Sequence, residues 1–332
     1  MIEIDHLTKR YGSRTAVSDL NLTIEAGQIY GFLGPNGAGK STTMNIMTGC
    51  LASTEGTVRI DGHDIYEEPA KAKALIGYLP EQPPLYLDMT PLEYLTFVAK
   101  AKGVRGEARQ QQLERAMEVT QIDGVKHRLI KNLSKGYKQR VGIAQALLGE
   151  PRAIILDEPT VGLDPLQIIE IRELIQELGR EHTVILSSHI LSEVRAVCDR
   201  IMIISKGKLV ASDTPENLEK LFAGTAALEL TVKGDEAAIR RALGSLPGVS
   251  GLSFHPGEVE GAAGVTVETD PPADLSEELF RICAAADLPI LRMGMRKASL
   301  EDVFLELTAG DAAETPSPEA PEDGEDEGGE QP

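Results

Sequence analysis

Gly34-Pro35-Asn36-Gly37-Ala38-Gly39-Lys40-Ser41 fits the pattern G-x-x-x-x-G-K-[ST], a glycine-rich loop that cradles phosphate. Both flanks suit it. Gln28 to Leu33 upstream is apolar and β-prone, as a buried parallel strand should be. Ser41 to Gly49 downstream sets Met44, Ile46 and Met47 among polar residues and stops at a glycine, which predicts a short helix. Gly34, Gly37 and Gly39 permit torsions and close approach that a Cβ would block. Successive N–H groups can then point inward as an anion nest, reinforced by the helix N-terminus. Lys40 is expected to reach β- and γ-phosphates, and the Ser41 hydroxyl to ligate Mg²⁺. The stretch Gly34 to Thr42 therefore predicts a nucleoside triphosphate site.

Other strands and carboxylates follow in order. Residues 2–30 alternate at Ile2/Ile4 and at Leu20/Leu22/Ile24, the period of half-exposed strands. Tyr11 lies between them and, taken alone, reads as an ordinary turn aromatic. Gly56–Ile60 and Leu75–Leu79 are further strands, the second running into Pro80-Glu81-Gln82. Ala153–Leu156 is a buried strand ending in Asp157-Glu158, where parallel α/β sheets place their chemistry. Adjacent strand residues point oppositely, so one carboxylate is expected at metal and the other towards a water. Asp164-Pro165 predicts an N-cap followed by proline at the first helical position. Ser188-His189 follows a strand over Thr183–Ser187; a lone histidine there is usually structural. Arg200–Ser205 and Lys208–Ala211 read as a hairpin.

Between residues 91 and 149 strand signals vanish, and amphipathic helices are expected over Leu92–Ala101, Gln110–Val119 and Gln139–Leu148. This predicts a helical subdomain of about 90–150 inserted into an α/β core of 1–222. Within it, Leu133-Ser134-Lys135-Gly136-Tyr137 offers Ser134 as a helix N-cap. Residues 225–308 order as β-α-β-β-α-β, the ferredoxin-like arrangement, with a closing helix over Ser299–Leu307 and no catalytic constellation. Residues 309–332 turn to Pro, Glu, Asp and Gly, a composition that predicts a disordered acidic tail.

Charge and composition narrow the class. The net charge is −19, but residues 311–332 hold nine acids and no Lys or Arg, so the rest carries −19 + 9 = −10. That body is still acidic, which counts against nucleic acid as partner. No apolar run is long enough to span a bilayer, and from the start Ile2-Glu3-Ile4 no signal peptide is expected. Cys50, Cys198 and Cys283 are widely spaced and odd in number, as for reduced thiols in a cytoplasmic protein.

The P-loop, Gln82, Leu133-Ser134-x-Gly136, Ile154–Glu158, Leu163-Asp164 and His189, in that order, resemble an ABC-type ATPase subunit over residues 2 to about 220. The resemblance implies a P-loop ABC ATPase core with an inserted helical subdomain, ATP and Mg²⁺ as cofactors, and Asp164 at the nucleotide. It implies that Tyr11 stacks on adenine and that Gln82 links Mg²⁺ and the γ-phosphate to a membrane partner. It assigns Asp157 to Mg²⁺, Glu158 to the attacking water as general base, and His189 to the γ-phosphate. Ser134 and Gly136 would close in trans over the P-loop of a paired ATPase subunit, in a homodimer or with a second chain. Lys135 and Tyr137 depart from the usual Leu-Ser-Gly-Gly-Gln.

Ile76–Gln82, Leu92-Glu93-Tyr94 and Ser299–Phe304 are similar to subunits of exporters with a separate transmembrane permease, such as drug-resistance, sodium and gliding-motility systems. Two other classes fit less well. One is a soluble ABC ATPase acting on a ribosome or protein assembly; ribosome-acting members typically carry two cassettes and basic arms, whereas this chain has one cassette and is acidic. A DNA-repair ATPase needs a long heptad insertion, whereas Lys40 to Ser134 spans only 134 − 40 = 94 residues.

Overall fold

The computed structural model describes residues 1–222, 227–244, 246–257, 259, 261–269, 275–296, 304 and 307. The chain opens with β1 (Ile2–Tyr11), β2 (Arg14–Ile24), β3 (Ile29–Leu33) and α1 (Lys40–Met47). Next come β4 (Glu55–Ile60), β5 (His63–Asp64), α2 (Pro69–Ala74) and β6 (Ile76–Leu79). Three helices follow: α3 (Pro91–Ala101), α4 (Gly106–Val119) and α5 (Lys135–Leu147). The chain then returns to the sheet with β7 (Ala153–Leu156), α6 (Pro165–Leu178), β8 (Thr183–Ser188) and α7 (Leu191–Val197). The hairpin β9 (Arg200–Ser205) and β10 (Lys208–Asp213) leads into α8 (Pro215–Phe222).

Two sheets frame this cassette. One has order β2-β1-β4-β5 and is antiparallel; the other has order β10-β9-β3-β8-β7-β6. In the second, β9, β3, β8, β7 and β6 run parallel and β10 closes one edge antiparallel. Every residue of β3, β7 and β8 is buried, as expected for strands covered on both faces. On one face Ile2, Leu20, Phe32, Met44 and Ile185 share a core with the antiparallel sheet and α1. The opposite face packs Leu156, Ile171, Leu186 and Ile201 against α5, α6 and α7. A separate core of Tyr94, Leu95, Leu113, Met117 and Val141 holds α3, α4 and α5 together. Thr90 starts α3 with a reciprocal capping box to Glu93, so the insert begins at a chemically defined point.

A second unit comprises β11 (Ala227–Lys233), α9 (Glu236–Leu243), β12 (Val249–Pro256), β13 (Ala262–Thr269), α10 (Ser276–Ala285) and β14 (Ile290–Arg296). Its antiparallel sheet has order β12-β13-β11-β14, and Leu228, Leu230, Val265, Leu279 and Cys283 form its core. The expected tail over 309–332 lies outside the described residues. So does most of the closing helix over Ser299–Leu307. Phe304 and Leu307, which are described, pack against the cassette core formed by α5, α6 and α7. Among the described residues no helix is long and apolar enough to cross a membrane.

Candidate nucleotide site

Parallel register brings the motifs to one edge. Leu33 pairs with Ser188, Leu156 with Leu186, and Leu79 with Leu156. The residues that follow these strands therefore emerge together at their C-terminal ends, where open α/β sheets bind ligands. There a cavity of about 510 Å³ is lined by Tyr11, Arg14, Ala16, Asn36, Gly37, Gly39, Lys40, Ser41, Thr42, Glu81, Glu158, Val161 and His189. Its size suits a small-molecule ligand. A larger cavity of about 640 Å³ opens at the other end of the strands, beside Gln112, Arg152 and His182, and holds none of the motif residues.

The loop geometry matches its glycines. Gly37 and Gly39 have φ of 82° and 105°, and Gly39 is the N-cap of α1. A Cβ on Gly34 would stand 2.4 Å from the Ile204 carbonyl oxygen, so the loop is pressed against β9. Lys40 is buried; its ammonium donates to the Gly34 carbonyl at 2.7 Å and the Pro35 carbonyl at 3.2 Å. It also lies 3.9 Å from Glu158 Oε1. Burial lowers the Lys40 pKa, and the carboxylates of Glu158 and Asp157 oppose that shift.

Asp157 and Glu158 have different partners, but not through strand alternation. β7 ends at Leu156, and Glu158 sits beyond it at φ 47°, a left-handed conformation that a non-glycine residue adopts only under constraint. The constraint is visible: Ser187 Oγ accepts from the Glu158 N–H at 2.8 Å and donates to Asp157 Oδ1 at 2.6 Å. Asp157 also accepts from Ser41 Oγ at 3.3 Å, while Glu158 Oε2 meets His189 Nδ1 at 3.0 Å. Glu158 is thus held between an ammonium and an imidazole at the cavity wall. Ser41 and Asp157 offer a hydroxyl and a carboxylate oxygen side by side, hard donors that fit Mg²⁺ bound through few side chains plus phosphate and water. Among the described residues no group of three His, Cys, Asp or Glu is placed to hold a metal ion.

Several expected residues stand elsewhere. Gln82 is exposed and does not line the cavity; its neighbour Glu81 does. Ser134 caps α5 by accepting from the Tyr137 N–H at 3.3 Å, and Asp164 caps α6 by accepting from the Gln167 N–H at 2.9 Å. Both caps are as predicted, yet neither residue lines the cavity, and nor does Gly136. A Cβ on Gly136 would stand 2.8 Å from Gln167 Cδ, and Lys135 lies over Gly162. The start of α5 is therefore packed against the turn into α6. Gly34, Pro35 and Ala38 shape the loop without lining the cavity.

Two participants were missed. Arg14 lies opposite Tyr11 in the β1–β2 pairing, and a cation three residues after that tyrosine was its only signal. Glu193 is buried on α7, accepting from Thr160 Oγ1 at 2.5 Å and Ser188 Oγ at 3.3 Å; it ties the turn after Glu158 to the strand before His189. Its signal in sequence was nil.

Known proteins share this arrangement. The family described as ABC transporter matches residues 17–161, from Val17 in β2 to Val161 on the cavity wall. The linearmycin resistance ATP-binding protein of Bacillus subtilis is 34% identical over 313 residues, covering 93% of this chain and 98% of the relative. The bacitracin transport ATP-binding protein of Bacillus licheniformis is 33% identical over 312 residues, covering 93% and 98%. Among solved structures, an ATP-binding subunit of an ABC transporter matches at 30% identity and TM-score 0.61, over 67% of this chain and 93% of that one. A dimeric bacterial ABC transporter cassette matches at 28% identity and TM-score 0.59, over 64% and 98%.

Proposed function

The chain belongs to the ABC transporter family as an ATP-binding and ATP-hydrolysing subunit, and from that premise we propose how its residues act and what they drive. The observation that carries the proposal is the single cavity wall on which Lys40, Ser41, Glu158 and His189 converge. Lys40 and the loop N–H groups hold the β- and γ-phosphates, and Tyr11, half exposed at 49%, gives adenine a ring to stack on. Ser41 and Asp157 would hold Mg²⁺, which would supply positive charge against the phosphates. Glu158 accepts the proton of the attacking water. His189 keeps the Glu158 carboxylate in place and donates towards the γ-phosphoryl oxygens as charge builds there.

Two copies close over two ATP in this reading. Its support is the set of motif residues absent from their own cavity: Ser134 and Asp164 are exposed N-caps, Gly136 lies buried in the first turn of α5, and Leu166 and Ile169 of α6 are 67% and 50% exposed. An apolar strip waiting for a second copy explains that exposure. Closure drives a separate membrane-spanning chain, with this subunit on the cytoplasmic side. Tyr86, just before α3, and Phe97 on α3 form an exposed aromatic pair with ring centroids 5.4 Å apart, and suit such a docking partner. The names of the antibiotic resistance and transport relatives favour export.

The test is Glu158→Gln. Hydrolysis should fall by about 10²-fold or more, while ATP binding persists and ATP-held dimers accumulate on size exclusion. Wild-type turnover in that variant would remove Glu158 from the mechanism.

A further inference from the structure

We propose that Glu193 is a positioning residue for hydrolysis, a buried carboxylate on α7 that holds Glu158 and His189 in register with each other. This rests on the roles given above to Glu158 and His189, and adds a residue that lines no part of their cavity. Glu158 and His189 stand 31 residues apart in the chain, one after β7 and the other after β8, and meet at 3.0 Å. Neither segment alone can fix that distance. Glu193 is bonded to both segments, through one oxygen. Its Oε2 accepts from Thr160 Oγ1 at 2.5 Å and from Ser188 Oγ at 3.3 Å. Thr160 belongs to the turn in which the Val161 N–H donates to the Glu158 carbonyl at 3.2 Å. Ser188 directly precedes His189, and its Oγ accepts from the Ile190 N–H at 3.0 Å, so the residues on either side of His189 share that hydroxyl.

The helix gives Glu193 a fixed base. A Cβ on Gly31 of β3 would stand 2.3 Å from Val194 Cγ1 and 2.9 Å from Cys198 Sγ, so α7 lies hard against the sheet. Gln176 of α6 donates to the Ala196 carbonyl at 3.0 Å and clips the far end of α7. Glu193, Thr160 and Ser188 are all buried, so water does not readily replace the bonds among them. A carboxylate buried against two hydroxyls adds little stability, because an apolar side chain of similar size would avoid its desolvation. Its place between the segments that carry Glu158 and His189 gives it another use. A misplacement of about 1 Å in reacting groups costs about 10²-fold in rate. Since Glu193 is absent from the cavity wall, its loss should fall on turnover and spare ATP binding.

Steady-state ATP hydrolysis by the full chain, with kcat and KM separated, tests this. Glu193→Leu fills the space and removes the acceptor; it should lower kcat by about 10²-fold with KM within about threefold of wild type. Glu193→Gln keeps an oxygen for both hydroxyls and should lose less than about tenfold in kcat. Thr160→Val, an isostere without the hydroxyl, should lower kcat by about tenfold, whereas Thr160→Ser should stay within about threefold of wild type. In a Glu158→Gln background, measured by single-turnover hydrolysis, Glu193→Leu should cost less than it does alone, because it acts through Glu158. Unchanged kcat in folded Glu193→Leu overturns the proposal, as does a KM that rises by as much as kcat falls, or an undiminished cost in the Glu158→Gln background. If Glu193→Leu does not fold, equal kcat in Thr160→Val and Thr160→Ser overturns it. Wild-type turnover in Glu158→Gln overturns instead the reading on which the proposal rests.

Discussion

In the cassette, Lys40, Arg140, Asp157, Glu158 and Glu193 are all less than a tenth exposed; in the second unit the buried polar side chains among the described residues are Thr266 and Thr269. Both units fold by the same means, pairing β-rich sheets with helices over an apolar core. Among the described residues only the cassette also carries charge inside. Desolvating an ion costs several kcal/mol, so each buried charge needs partners that hold it. Lys40 has two carbonyls and Glu158; Arg140 has the Thr120 carbonyl and Glu170; Glu193 has two hydroxyls. Those partners come from different strands and helices, so the tertiary fold as a whole maintains the site. Among its described residues the second unit has no such convergence, and Phe304 and Leu307, further along the chain, pack on the cassette itself.

Variants in each unit should therefore fail differently. Leu230 lies in the centre of the second sheet and is 2% exposed. Leu230→Ala should destabilise that unit by about 2–5 kcal/mol, seen as a lowered thermal or urea midpoint. ATP affinity should stay at the wild-type value; its loss in a demonstrably folded protein would show that the second unit completes the site, and the contrast would break. Tyr11 gives the converse, smaller effect. Tyr11→Ala should weaken ATP binding by about 1 kcal/mol, or about fivefold, through loss of a stacking face, with no change in the unfolding midpoint. Tyr11→Phe should bind as wild type. Equal affinity in all three would return Tyr11 to the role of a turn aromatic.

Much of this was legible where the chemistry is local. The glycine loop, the caps Ser134 and Asp164, and the proline at 165 are specified by neighbours within four residues, and all stand where the sequence put them. Legibility failed where position depends on distant pairing. Glu81 and Gln82 are adjacent, and only the register of β6 against β7 and the packing of Pro83 on α5 distinguish them. The separation of Asp157 from Glu158 was expected from strand alternation but arises from the left-handed turn at Glu158, which Ser187, from a different strand, stabilises. Phe304 and Leu307 read as part of a closing helix; that they bury against a core assembled from residues 29–218 is a long-range fact that no local pattern encodes.

The central claim is that a working site is shared between two chains, with the cavity from one and the start of α5 from the other. One subunit disabled at Lys40 and another disabled at Ser134 should each be inactive alone. In a mixed dimer, the cavity of the Ser134 variant faces the intact α5 start of the Lys40 variant, which makes one whole site, while the second site carries both defects. Measuring ATP hydrolysis after mixing, with subunit exchange verified by co-purification of two different tags, decides the matter. The shared-site account predicts that mixing restores part of the activity. If exchange is confirmed and hydrolysis stays at the level of the separate variants, a single complete site made from two chains does not turn over, and the account is contradicted.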